Sequence, residues 1–459
     1  METKLARIAQ VARQKPEERF TSLVHLINPE TLKRAHEELS GRKVPGVDAV
    51  TKQEYGTNLE ANVQDLVGRM KRQAYKPQPV KRVYIPKANG GKRPLGIPSY
   101  EDKLVQKAMA PILNAIYEAD FLGCSFGYRP GRGCHDALKV LGHIIETRRV
   151  NYVLEADIRS FFDRVDHGWM MKFLEHRIAD RNLLRLIYRF LRAGIMEAGI
   201  RYDTPEGTPQ GGVISPILAN IYLHYVLDLW FDKVYRKQCK GEAYLVRYAD
   251  DFVICFQYLE DAKACHRALK ERLDKFGLEL APEKTRIITF GRFAREDSRK
   301  RGGKKPDTFD FLGFTHYCGL SRNGKFRVKR KTSRLKVKAS LRRLRDWLWR
   351  NLTTPFKELR TLLQQKLRGY YRYYGITDNS HAISCYGDKV KKLLYKWFNR
   401  RSQRNAFNWE KFNLFLVRNP LPRPKVYVSV YDINPEMLAY LGKRRARGAV
   451  CVNSASTVL

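Results

Sequence analysis

The sequence predicts an α+β core followed by an all-helical domain. Between about residues 61 and 318, short β-rich runs such as KRVYIPK (81–87), YVLEADI (152–158) and RIITF (286–290) alternate with helical patterns. Beyond about 320 the strands stop and apolar residues recur at the helical period. No internal repeat interrupts either region, and 459 residues with 43% hydrophobic content can bury a large core, spread by length over roughly two to four domains.

The elements follow in order. Residues 1–60 are mixed polar and helical and end near the turn-like KVPGVDAVT (43–51). They hold no apolar segment of the kind a secretory signal needs, so a cytoplasmic location is expected. IPKANGGKRPLGIPS (85–99) reads as a Gly-rich basic hairpin, in which Lys87 and Arg93 are placed to neutralise a triphosphate, although basic hairpins are common. Helical spacing is clear at Leu183, Leu184, Ile187, Phe190 and Leu191. EGTPQGGVISPILANIYL (206–223) is a tight loop in which Ser215 as N-cap and Pro216 at the first helical position start a helix. The loop reads either as a plain helix start or as backbone that approaches a ligand, with Gln210 as a neutral contact. The run GGVISPILANIYLHYVLDLWF (211–231) is interrupted by Pro216, Asn220, His224 and Asp228, which makes it a buried helix and not a membrane span.

In the last third, Leu341, Leu344, Leu348 and Leu352 mark one helix, and Leu359, Leu363, Leu367, Tyr370 and Tyr374 a second. Val390, Leu393, Leu394, Trp397 and Phe398 mark a third, and the three are expected to form a bundle. NPLPRPKVYVSVYD (419–432) looks extended, and GKRRARG (442–448) looks like a basic tail.

Charge narrows the function. Lys and Arg total 87 against 47 Asp and Glu, a formal net charge of +40, so a polyanion is the expected partner and nucleic acid the commonest one. Residues 321–350 hold 13 Lys or Arg and one acid, Asp346. A solvated face normally mixes signs, so Arg330, Lys331, Lys336, Lys338, Arg342 and Arg343 are read as a nucleic-acid surface. A membrane role would need an anchored amphipathic segment, which is missing from this pattern. The eight cysteines form no C-x-x-C pair, which argues against a zinc ribbon or a disulfide framework.

The acids carry the chemistry. YLVRYADDFVICF (244–256) reads as two short strands with Asp250 and Asp251 at the turn between them. An acidic hairpin turn is one explanation, and a metal site with a third carboxylate is the other. Asp157, at the end of the strand in YVLEADIRSFFDRVDH (152–167), supplies that third carboxylate, and the cluster would hold two Mg²⁺ ions for phosphoryl transfer. Asp163 and Asp166 are better read as caps for a helix that starts near His167.

As a set, these segments resemble the reverse transcriptases encoded by group II introns, also called maturases. RYADDFVI resembles the family's Tyr-x-Asp-Asp box, ADIRSFFD its first catalytic aspartate segment, and GTPQGGVISPILANI the signature loop and helix between them. SFGYRPGRGCHDAL (125–138), LAPEKT (280–285) and FDFLGF (309–314) fall in the family's order, and LRGYYRYYGI (367–376) resembles its maturase, or X, domain. The resemblance covers about residues 40–430 and rests on the ordered co-occurrence of the boxes.

It implies a right-hand polymerase fold. The divisions are an N-terminal extension (1–60), fingers and palm (61–318), a helical thumb or maturase domain (319–405) and a basic C-terminal extension (406–459). It implies that Asp157, Asp250 and Asp251 bind Mg²⁺, or Mn²⁺ in its place, with the Ile158 carbonyl as a further ligand. Phe162 would sit beneath the deoxyribose as a gate against a 2′-hydroxyl. Gln210 would line the nucleotide pocket, Lys87 and Arg93 would hold the triphosphate, Lys284 would assist, and the FLGF segment would support the primer end. PGVDAVT resembles the family's N-terminal extension, with Asp48-Ala49 where the family often has Asp-Gly. Expected partners are the group II intron RNA, an RNA template with a DNA primer, dNTPs and target DNA. Many relatives add an endonuclease with cysteine pairs; none is expected here, so an intron would take its primer from elsewhere, such as a replication fork. Two alternatives stay open: a related reverse transcriptase serving phage defence or CRISPR spacer acquisition, and a non-enzymatic RNA-binding maturase.

Overall fold

The computed structural model describes residues 2–86, 91–208, 210–303, 305–401 and 407–442; Lys87 and the basic stretch 443–448 lie outside the described residues. The chain forms two compact units: Met1–Ala137 with Leu154–Ile287 and Glu436–Leu459, and Leu138–Val153 with Ile288–Pro435.

The first unit opens with helices fixed by their caps. Asn28 and Thr31 form a capping box at helix Pro29–Glu38, and Thr51 and Glu54 form another at Lys52–Thr57. Between them the PGVDAVT loop is tied to helix Tyr100–Tyr117, because the Tyr100 N–H donates to Asp48 Oδ2 at 2.9 Å. Ala49 stands there with φ of 55°, the left-handed conformation that the family's glycine would adopt freely.

Strands β1 (Val80–Pro86) and β2 (Lys92–Ile97) form the basic hairpin, with Ile85 opposite Arg93. With β4 (Ile195–Glu197) and β5 (Ile200–Tyr202) they make a sheet in the order β2-β1-β4-β5. A second sheet, ordered β6-β7-β3-β8, joins β3 (Tyr152–Asp157), β6 (Ala243–Tyr248), β7 (Asp251–Phe256) and β8 (Arg286–Thr289). Residues 243–247 and 252–256 are all buried, which is why this stretch reads as nearly continuous apolar sequence. Helix Ser215–Leu223 packs against Tyr100–Tyr117 and His167–Glu175.

Three local readings need comment. Asp166 caps helix His167–Glu175 as expected, accepting from Trp169 N at 2.7 Å. The signature helix begins with Ser215 inside its first turn, so Ser215 is not the N-cap; its hydroxyl instead accepts from Thr208 Oγ1 at 3.1 Å. The apolar run beyond it is buried but not uniformly α-helical, since His224–Asp228 and Trp230–Tyr235 are π-helical turns.

The second unit holds β9 (Thr308–Phe311), β10 (Phe314–Leu320) and β11 (Phe326–Thr332), ordered β11-β10-β9. Strands therefore continue to residue 332, past the expected limit near 320: FRVKRKT buries Val328, Arg330 and Thr332 at alternate positions, but its basic residues, one of them on the buried face, hide that pattern in the sequence. Helices Arg334–Arg350, Phe356–Tyr374 and Ser380–Arg400 follow as expected. Their core contains Leu344, Leu348, Leu359, Leu363, Leu367, Val390, Leu394 and Trp397. Buried Asn379 links sheet to bundle, accepting from Thr332 N at 2.8 Å and donating to the Tyr374 carbonyl at 2.7 Å.

Among the described residues no helix is long and apolar enough to cross a membrane. Replacing Ala49 with Gly relieves the left-handed strain and is expected to stabilise the first unit by about 1 kcal/mol, roughly 2 °C in Tm. A lower Tm for Ala49→Gly by calorimetry would count against this loop geometry.

Candidate active site

The hairpin β6–β7 is closed by two residues, Ala249 and Asp250, with Tyr248 opposite Asp251. Ala249 takes φ of 58°, which turns the chain sharply enough to leave both carboxylates at the hairpin's end. Asp157 ends β3, the neighbour of β7 in the sheet. Its carbonyl accepts from Ala281 N at 2.9 Å, and Arg159 N donates to the Glu279 carbonyl at 2.8 Å, so the LAPEKT loop folds over the strand end. Ile158 pairs there with Leu280.

This pairing brings Lys284 onto Asp157, where its ammonium forms an ion pair with Oδ2. The interaction with Asp157 raises the Lys284 pKa, with smaller contributions from Asp251 and Glu283. Burial raises the Asp250 carboxyl, Asp157 raises it further, and Arg93 and Lys284 pull it back. Asp157, Asp250, Asp251, Lys284 and Arg93 thus share one electrostatic neighbourhood. Among the described residues no three side chains of His, Cys, Asp or Glu already enclose a metal position. The donor set nonetheless fits a hard cation: all three groups are carboxylates, and the Lys284 ammonium on Asp157 stands in for positive charge there.

The nucleotide-side candidates form a second set. Phe162 is half-buried, edge-on to Phe161 at 5.3 Å between centroids. Its carbonyl accepts from Thr208 N at 2.7 Å, and Gly207 N donates to Val165 O at 2.8 Å. Two residues on, the Gln210 carbonyl accepts from Gly96 N at 2.6 Å. Gly211, with φ of 119°, lets the loop come this close, since a Cβ there would lie 2.6 Å from the Gly96 oxygen. The signature loop therefore ties the basic hairpin to the turn that carries Phe162.

Behind the carboxylates lies a cluster the motifs did not reveal. Arg247 and Asp228 are both completely buried. Arg247 Nε and Nη2 donate to the two Asp228 oxygens at 2.7 and 2.5 Å, and Nη2 also donates to Ser125 Oγ at 2.8 Å. Nη1 donates to Asn220 Oδ1 and to the Ala249 carbonyl, each at 3.0 Å. Burial alone would lower the Arg247 pKa, but Asp228 outweighs it and the guanidinium stays charged. A signal was present in the sequence, because an Arg within one apolar run and an Asp within another are improbable unless paired.

The basic face in the second unit is only partly as expected. Lys331, Lys336, Lys338, Arg342 and Arg343 are exposed. Arg330 is 1% exposed on β11, so it is removed from that face. Strand alternation turns it inward, where Nη2 donates to the Leu138 carbonyl at 3.0 Å and burial lowers its pKa to about 10.

The Arg247–Asp228 pair yields a stability test. Arg247→Met leaves Asp228 buried without its partner and is expected to cost about 3–5 kcal/mol in urea unfolding, much of it recovered by adding Asp228→Leu. A single variant as stable as the parent would contradict the buried pair.

A family model described as reverse transcriptase (RNA-dependent DNA polymerase) matches residues 85–316. The group II intron-encoded protein LtrA of Lactococcus lactis subsp. cremoris is 31% identical, over 83% of this chain and 75% of its own length. Protein YkfC of Escherichia coli strain K12 is 33% identical, over 75% of this chain and 95% of its own. An uncharacterized 91 kDa protein in the cob intron of Schizosaccharomyces pombe is 41% identical over 35% of this chain and 20% of its own. The chain belongs to the reverse transcriptases, the RNA-directed DNA polymerases, and within them to the group II intron reverse transcriptases and maturases.

Proposed function

We propose that the protein copies RNA into DNA with Asp157, Asp250 and Asp251 as the carboxylates that hold divalent cations, Mg²⁺ with Mn²⁺ as a substitute. The observation that carries this reading is the convergence of the three acids on the ends of adjacent strands, opposed nearby by Lys284 and Arg93. In the reaction the primer's 3′-oxygen bonds to the α-phosphorus of a dNTP as the bond to pyrophosphate breaks. The bound cations would activate the hydroxyl and offset charge on the leaving group. Arg93, with Lys87 on the same hairpin sequence, neutralises the triphosphate, and Gln210 lines the pocket. Phe162 lies under the deoxyribose, and Lys284 assists beside Asp157. The Ile158 carbonyl is a further cation ligand.

The same chain binds a group II intron RNA and assists its splicing. Lys331, Lys336, Lys338, Arg342 and Arg343 supply phosphate contacts from the second unit. The cDNA activity would support intron mobility at a DNA target, from a target-primed or fork-primed 3′ end.

Two measurements test the reading. Asp250→Asn is expected to lower primer extension on an RNA template by about 10³-fold or more, since a two-cation site loses a charge. Near-parental extension by this variant would remove the carboxylate assignment. Phe162→Ala opens space beside C2′, so ribonucleotide incorporation relative to deoxyribonucleotide is expected to rise by about tenfold or more. Unchanged sugar discrimination would make Phe162 a packing residue only.

A further inference from the structure

The segment SFGYRPGRG (125–133) runs beside the hairpin that carries Asp250 and Asp251. Arg247 N donates to the Cys124 carbonyl at 2.8 Å, and Phe126 N donates to the Arg247 carbonyl at 2.9 Å, so the segment is paired with the end of β6. At Gly127 the two backbones touch. A Cβ there would collide with the Ala249 nitrogen and lie 3.0 Å from the Tyr248 carbonyl carbon. Asn220 Nδ2 holds the Gly127 carbonyl at 2.7 Å, while the same side chain's Oδ1 accepts from Arg247.

The next residue is held in an unfavourable state. Tyr128 has φ of 58°, a conformation that a bulky side chain adopts only when its surroundings enforce it. Packing does not explain the strain, because Tyr128 is 50% exposed. An aromatic that is clamped through its backbone neighbours, strained and yet open is presented to something outside the chain. Its charged surroundings say where: Asp250 and Asp251 raise the phenol's pKa beyond the effect of burial, and Arg93 opposes them.

We propose that Tyr128 is a primer-contacting residue, its ring packing on the sugar and base of the primer's 3′-terminal nucleotide and holding the attacking hydroxyl at Asp250 and Asp251. The inference rests on the polymerase reading above. The hydrogen-bond connections favour the primer over the incoming nucleotide. Phe162 and Gln210 are joined to each other's loop and to the basic hairpin through Thr208 and Gly96, whereas Tyr128 is joined to the turn of the catalytic hairpin through Gly127. A base and sugar offer the planar and apolar surfaces that an exposed aromatic engages without regard to sequence.

The test is single-turnover extension of a DNA primer on an RNA template by the full chain, with Tyr128→Ala, Tyr128→Phe and inactive Asp250→Asn. Loss of the ring is expected to lower the maximal rate at saturating dNTP by about tenfold or more, with apparent dNTP affinity changed by less than about threefold. Tyr128→Phe, which keeps the ring, is expected to recover most of the rate. Thermal unfolding and intron RNA binding of Tyr128→Ala should match the parent, which separates a contact role from a structural one. A weaker dNTP affinity at unchanged maximal rate would move the ring into the nucleotide pocket and overturn the proposal. An unchanged rate and affinity would overturn it equally. A parent chain that extends no primer would overturn the polymerase reading and this inference with it.

Discussion

Burying a guanidinium with no exposure to water is costly unless its N–H groups meet acceptors, and the five N–H groups of Arg247 meet five bonds. Two go to Asp228, and the others reach Ser125, Asn220 and the Ala249 carbonyl. Apolar replacements of similar volume often stabilise a fold as well as a buried ion pair does, so stability alone does not account for the pair. What it adds is direction. A rigid planar fork aligns the signature helix, the Ser125 segment and the turn at Ala249 through one side chain. Asp228 lies on a π-helical turn, and the extra residue in such a turn changes the face on which an acid projects.

The electrostatics of the carboxylates rest on that frame. Asp250 is pushed toward its neutral form by burial and by Asp157, and Lys284 and Arg93 only partly offset this. A carboxyl held up by burial and by a neighbouring acid would gain from an added cation, which fits the proposed substrate, a triphosphate that arrives with a divalent cation beside a basic hairpin.

Much of this was readable in the residues. The hairpin with acids at its turn, the strand end at Asp157, the Asp166 cap and the three-helix bundle each follow from local rules about turns, caps and apolar period. What stayed hidden is long-range. Arg330 looked like part of a basic face because composition does not reveal which way a strand residue points, and a pleat of period two buries one residue beside an exposed Lys331. The role of Asn220 was equally invisible, since it depends on Gly127 and Arg247 meeting across separate segments. Tyr128 lies in the SFGYRPGRGCHDAL box, but nothing in that sequence marks its backbone strain, which appears only where Gly127 lies against Ala249.

The basic helix of the second unit shows how partner and fold are coupled. Leu344 and Leu348 bury one side of Arg334–Arg350, while Arg334, Lys338 and Arg342 are exposed at successive four-residue intervals. Like charges at that spacing repel by about 0.2–0.5 kcal/mol per pair, and the helix's one acid, Asp346, follows only at the end of the row, where it forms an ion pair with Arg345. The bundle core, including the Lys366 ammonium over the Trp347 ring, must outweigh this repulsion in the free protein. Phosphates bound along the row, as proposed above, would remove it. Salt would then act in opposite senses on the two states, screening repulsion in the free helix while weakening contacts in such a complex. On the proposed function the row would be better adapted to an RNA-bound state than to the free one, and the carboxylate site would likewise gain from its ligand, since Lys284 and Arg93 offset burial and repulsion at Asp250 only in part.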